Sequence, residues 1–84
     1  MQFEATVEVQ LKAGIADPQG STIENATLKL GFNGIENVRV GKSIRFAITA
    51  DDEVKAKEII QDLCDKFLTN PVIENATIHL QGVE

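Results

Sequence analysis

Cysteine is almost absent from this chain. Cys64 stands alone among 84 residues, so no disulfide can form within it. Histidine is as scarce: His79 is the only one, and one imidazole far in sequence from one thiol does not make a zinc site. Tryptophan and tyrosine are missing, and phenylalanine occurs four times. Positive charge is in deficit, with 8 Lys and Arg against 13 Asp and Glu, a formal net charge of −5. Nonspecific nucleic-acid binding neutralises phosphates with Lys and Arg, so this balance argues against it. Long apolar runs are also lacking. The start, "MQFEATVEVQ", meets an acidic residue early and fits neither a signal peptide nor a membrane span. A cytoplasmic chain without membrane contact is expected. The "NAT" triplets at Asn25 and Asn75 match a glycosylation sequon, but without a secretory route they are chance matches.

What remains is short. Residues 1–84 make one small domain, and a chain of this length buries a modest core. Small scaffolds are usually stapled by disulfides, a metal or a partner. With the first two lacking, oligomerisation or partner binding is the expected support.

Periodicity gives the elements. Residues 2–11 alternate, with Phe3, Ala5, Val7, Val9 and Leu11 on one side and Glu4, Thr6, Glu8 and Gln10 on the other, which predicts a strand with one buried face. Asp17 can cap a helix with Pro18 at its first position; Ser21 and Glu24 offer an alternative start as a capping box. Ile23, Ala26 and Leu30 share one face of that helix, and Gly31 is a natural stop. Residues 35–40 and 43–49 read as two strands joined by a Gly41-Lys42 hairpin, with Arg39 and Arg45 on the side opposite the apolar residues. Residues 51–68 form the clearest helix: acidic at its start, with Ala56, Ile59, Ile60, Leu63, Cys64 and Phe67 in a wide apolar stripe, ended by Asn70-Pro71. A last strand covers about 76–81, with His79 outward. The pentapeptide "IENAT" occurs at 23–27 and 73–77, helical in the first context and leading into a strand in the second.

The order is β-α-β-β-α-β. That predicts an α+β fold of ferredoxin-like type, a mainly antiparallel sheet with two helices on one face.

Chemistry is harder to find. "GKS" at 41–43 lacks the earlier P-loop glycine, since position 36 is Glu36, and it leads into a strand rather than a helix. Carboxylates are plentiful but nothing implies a cleft that would shift their pKa values. Cys64 belongs to an apolar stripe, as an inert thiol would. Arg39, Lys42 and Arg45 cluster and suit contact with an acidic partner or a solvated face. No catalytic set emerges.

Three blocks, "DPQG" at 17–20, "VRVGK" at 38–42 and "CDKFLTNPVIE" at 64–74, together resemble the PurS family, the small subunit of phosphoribosylformylglycinamidine (FGAM) synthase in de novo purine biosynthesis. The resemblance covers nearly the whole chain, in order and at matching spacing. It implies a subunit of a glutamine-dependent C–N ligase complex without an active site of its own. It implies two partners: a glutaminase subunit that releases ammonia, and a large synthetase subunit that uses ATP with magnesium to convert FGAR to FGAM. The small subunit is expected to bridge the two, assist ammonia transfer, form dimers or tetramers, and bind no cofactor itself. By position the resemblance falls on Asp17, Pro18, Gln19, Gly20, Arg39, Gly41, Lys42, Asn70, Pro71 and Glu74. Of these, Asp17, Gln19, Gly20, Arg39, Lys42, Asn70 and Glu74 are the candidate partner contacts.

Other functions share the topology. A regulatory module that binds a small molecule is the main alternative. An RNA-recognition domain would need exposed aromatics on its central strands, and here only Phe46 is available, on the apolar side. An acylphosphatase-like enzyme would need an arginine-bearing anion loop after the first strand, and "KAGIADPQG" has none.

Overall fold

The computed structural model describes residues 1–83; Glu84, the last residue of the expected domain, lies outside them. Three strands and two helices follow in the order β1 (Gln2–Leu11), α1 (Pro18–Lys29), β2 (Lys42–Thr49), α2 (Glu53–Leu63) and β3 (Glu74–Val83). A π-helical turn, Cys64–Leu68, continues α2.

β1 is the central strand. It runs antiparallel to β2, from Gln2 opposite Thr49 to Val9 opposite Lys42, and antiparallel to β3, from Gln2 opposite Val83 to Leu11 opposite Glu74. Its alternation works as expected: Phe3, Ala5, Val7 and Val9 are all buried. Cross-strand partners share a face, so Ile44, Phe46 and Ile48 of β2 and Ala76, Ile78 and Leu80 of β3 extend the same apolar surface. α2 lays Ala56, Ile60 and Cys64 on it, at the i, i+4, i+8 spacing of one helical face. The other side of the sheet is polar and open, with Glu4, Thr6, Arg45 and His79 on it. The His79 Nε2 lies 3.9 Å from the Glu8 Oε1.

Both helices begin at carboxylate caps. Asp17 caps α1 with Pro18 following, and Asp52 caps α2, its side chain accepting from the Lys55 N–H at 2.8 Å. α1 ends where Gly31 takes a φ of +90°. The Gly31 N–H then reaches the Leu28 carbonyl and the Phe32 N–H the Thr27 carbonyl, at 3.1 and 3.0 Å, a Schellman closure.

The α+β class, the antiparallel sheet and the two helices stand. Four local expectations do not. Residues 35–40 form no strand, so the order is β-α-β-α-β. Asn37 breaks the extended run with a φ of +59°, and beyond it the N–H groups of Val38 and Val40 are taken by side chains of α1 rather than by a neighbouring strand. Without that strand there is no Gly41-Lys42 hairpin. Gly41 is needed instead because the chain passes close to β1: a Cβ there would sit 2.7 Å from the Val9 carbonyl oxygen. Phe67 is 78% exposed rather than part of the buried stripe. The π turn widens the helix beyond Cys64, and Leu68 packs against the core in its place. The largest difference concerns α1. Ile23 and Leu30, expected inward, are 42% and 75% exposed, and Ala26 is exposed with them. Glu24, expected outward, turns toward Val38.

α1 contributes little cover to its own sheet, and the molecule is correspondingly long. The Cα radius of gyration is 16.5 Å with extents of 51 × 28 × 15 Å, against about 12 Å for a compact chain of this length.

Candidate functional site

The chain's candidate residues meet at one end of the sheet, where β1 runs into α1 and β2 begins. Asp17 is the organiser. It is a buried charged side chain, 8% exposed. One carboxylate oxygen accepts from the Gly20 N–H at 2.8 Å, capping α1, and the other accepts from the Val40 N–H at 2.7 Å. The Val40 and Gly20 N–H groups hold the Asp17 carboxyl below its ordinary value; burial opposes them and the Arg39 charge assists. One turn further along, the Glu24 Oε1 accepts from the Val38 N–H at 3.1 Å. Two carboxylates of α1 therefore grip alternate N–H groups of the strap Val38–Val40.

Glycine makes that grip possible. A Cβ on Gly20 would lie 2.1 Å from the Val38 carbonyl oxygen, well inside contact distance. Arg39 completes the clamp from the other side. Its guanidinium donates to the Ile15 carbonyl at 2.8 Å and the Lys12 carbonyl at 3.2 Å, which ties down the β1–α1 loop. Arg39 therefore braces this loop rather than standing free on the open sheet face; Arg45 does stand on that face.

Asp17, Gln19, Lys42 and Glu74 line one cavity of about 270 Å³, closed on its apolar side by Val9, Leu11 and Val40. Lys42 pairs with Val9 and Glu74 with Leu11 in the sheet, so both side chains lie on the α2 side. Arg39 lines an adjoining hollow that shares Leu11, Val40 and Gly41. Asn70 stands outside the cavity but is linked to it. Its N–H donates to the Glu74 carboxylate at 2.7 Å, and its carbonyl accepts from the Ile73 and Glu74 N–H groups. Its side-chain oxygen accepts from the Val72 N–H at 3.2 Å, so Asn70 shapes the turn into β3. Gly20 and Arg39 likewise hold the site's frame, while Gln19 and Lys42 present side chains to the cavity.

Sequence reading missed Glu24. Its only signal was the spacing Ser21-x-x-Glu24, which suggested a different helix start, and no local pattern shows a carboxylate reaching the N–H of Val38. The apolar wall of Val9, Leu11 and Val40 was also not anticipated as part of a site.

The arrangement suits binding better than catalysis. Both Asp17 oxygens are committed to N–H groups, so it is not placed to act as a base or a metal ligand. Cys64 lies in the core, where burial pushes its thiol up from the ordinary value and the Asp65 charge adds to the shift; it is the opposite of an activated nucleophile. No helix among the described residues is long and apolar enough to cross a membrane.

Comparison with known proteins places the chain among close relatives. The family model described as PurS, Phosphoribosylformylglycinamidine (FGAM) synthase, matches residues 4–82. The chain is 38% identical over 82 residues to the phosphoribosylformylglycinamidine synthase subunit PurS of Methanocaldococcus jannaschii, covering 98% of this chain and 99% of that one. It is 45% identical over 74 residues to the corresponding subunit of Mycobacterium leprae, covering 88% and 90%. The crystal structure of M. jannaschii PurS superposes with a TM-score of 0.87 at 39% identity, over 98% and 99% of the two chains. A chain in the structure of PurLQS from Thermotoga maritima superposes with a TM-score of 0.87 at 32% identity, over 95% and 98%.

Proposed function

The chain belongs to the PurS family, and from that premise we propose that it is the small subunit of a phosphoribosylformylglycinamidine synthase complex, acting in the cytoplasm as part of a homo-oligomer. In this reading it joins a glutaminase subunit to a large synthetase subunit and assists the passage of ammonia between them, for the glutamine- and ATP-dependent conversion of FGAR to FGAM. The observation that carries the reading is the likeness, over 95% of this chain, to a chain of the T. maritima PurLQS assembly.

The site's geometry supports a role in assembly. Gln19 and Lys42 stand on a rim held rigid by Asp17, Gly20, Glu24 and Arg39, and a rigid rim loses little entropy when a partner docks. We assign the partner contact to this rim. Catalysis, glutamine, ATP and its magnesium belong in this reading to the larger subunits. Ammonia explains why a bridging subunit matters. Ammonia that reaches bulk water is largely protonated and loses the lone pair that attacks. Holding two active sites in register raises the effective concentration of the free base at the second site.

The test is reconstitution of the two larger subunits with and without this chain, using glutamine or ammonium as the nitrogen source. Glutamine-dependent turnover should require the chain, and the chain alone should show neither glutaminase nor ATP-dependent activity. Full glutamine-dependent turnover without it contradicts the reading. The cavity of about 270 Å³ favours one second reading, a small-ligand regulatory module. Calorimetry of the isolated chain with amino acids and nucleotides separates the two, since micromolar binding would favour the module.

A further inference from the structure

Two apolar surfaces of this chain lack a partner, and they match. The first is the stripe of α1. Ile23, Ala26 and Leu30 lie within about 60° of one another around the helix, and all three are exposed. Phe32, just beyond the helix, is 57% exposed. α1 is nearly free of charge: only Glu24 and Lys29 are ionisable, and Glu24 is engaged with Val38.

The second surface is a groove. Its floor is Ile44, Phe46 and Ile48 of β2, only partly buried because α2 sits toward β3. Gln61 and Asp65 stand beside Ala76 at the start of β3. Ile59 and Leu63, on the opposite flank of α2, therefore face the β2 side. They form the groove's wall, continued by Phe67, and all three are exposed. The floor carries no charge. A strand of eight residues gives a floor about 26 Å long, and a helix of twelve residues is about 18 Å long, so one fits along the other.

We propose that the α1 stripe of each copy packs into the β2–α2 groove of a second copy, the two exchanging helices about a two-fold axis. The inference deepens the reading of the chain as an assembling subunit and rests on it. Reciprocity argues for a second copy rather than a foreign partner. The chain carries both a helix without a groove and a groove without a helix, which is the self-complementary pattern of a two-fold interface. The area is sufficient. With about 200 Å² for a buried phenylalanine, the exposed parts of Phe32 and Phe67 alone approach a third of the roughly 800 Å² per partner in a standard interface. The exchange counts each surface twice.

The test uses the full chain and the double variant Ile23→Glu, Leu30→Glu. Both side chains are exposed in the single copy, so the fold should survive, and circular dichroism checks that it does. Analytical ultracentrifugation should give a dimer-based mass for the native chain and the monomer mass for the variant, with self-association at least about a hundredfold weaker. A short thiol crosslinker should also join an Ile23→Cys chain to a Phe46→Cys chain in a mixture, while buried Cys64 stays unreactive. A native chain that is monomeric at tens of micromolar overturns the proposal. So does a variant that associates as tightly as the native chain, through a β2 edge or the polar sheet face. Glutamine-dependent turnover is read separately: if it never requires the chain although α1 exchange is found, the functional reading fails and the interface stands.

Discussion

α1 and α2 are almost equal in length, twelve and eleven residues, and both start at an aspartate cap, yet they have opposite surroundings. α2 buries Ala56 and Ile60 completely and turns a charged back to water, with Lys57–Glu53 at 3.5 Å and Lys66–Asp62, in the turn that follows, at 3.1 Å. α1 buries only Gly20, exposes its aliphatic stripe and carries almost no charge. α2 is finished as a part of one chain. α1 is held firmly at its base and left uncovered along its length, which is the condition of an element completed by another molecule. The difference teaches that an apolar stripe identifies a buried face without saying which chain buries it.

The contrast can be broken by substitution. The largest effect is expected from Ile60→Ala, which empties a fully buried site under α2 and should cost about 2–5 kcal/mol in urea unfolding. The matching deletion in α1, Ile23→Ala, should change the stability of the dilute chain by less than about 0.5 kcal/mol. Equal losses at the two positions would abolish the distinction. Next comes Gly20→Ala. Its Cβ would overlap the Val38 carbonyl, so the strap must move, at a cost of about 1–3 kcal/mol. Amide spectra should localise the change to residues 36–42 and the start of α1, leaving α2 unaltered.

A smaller effect attaches to Asp17 and is read through pH. Its carboxyl is held below its ordinary value, so its contribution is fully present above that value and is lost as pH falls through the lowered native one. Asp17→Asn keeps the cap but removes the charge, so it should flatten the acid limb of stability and leave the fold at neutral pH. An unchanged acid limb would show that the Val40 and Gly20 bonds do not control this group. The smallest effect belongs to the charged back of α2. Lys57→Ala should cost less than about 0.5 kcal/mol, since its exposed pair with Glu53 is screened by solvent.

Much of this was legible in the sequence. β1 and α2 announce themselves because each buries its face within the chain, so period and burial agree. The caps are legible because Asp17-Pro18 and Asp52 act within one turn. The repeated "IENAT" took the two structures expected, α1 at residues 23–27 and the entry to β3 at 73–77. The strap at 35–40 was misread because its valines alternate like a strand, while its hydrogen bonds go to Asp17 and Glu24, a tertiary arrangement that no local pattern encodes. Phe67 was misread because a π turn changes the helical period beyond Cys64. Of the candidate contacts, Asp17, Gln19, Lys42 and Glu74 do share a cavity wall, although they come from three separate parts of the chain.

The most direct test of the contrast between the helices is amide hydrogen exchange across a concentration series of the isolated chain. At the lowest concentration, amides of Thr22–Lys29 should exchange much faster than those of Ile59–Leu63. Raising the concentration should slow exchange in α1 and leave α2 unchanged. α1 protected as strongly as α2 in the dilute chain, or exchange in α1 independent of concentration, would contradict the account.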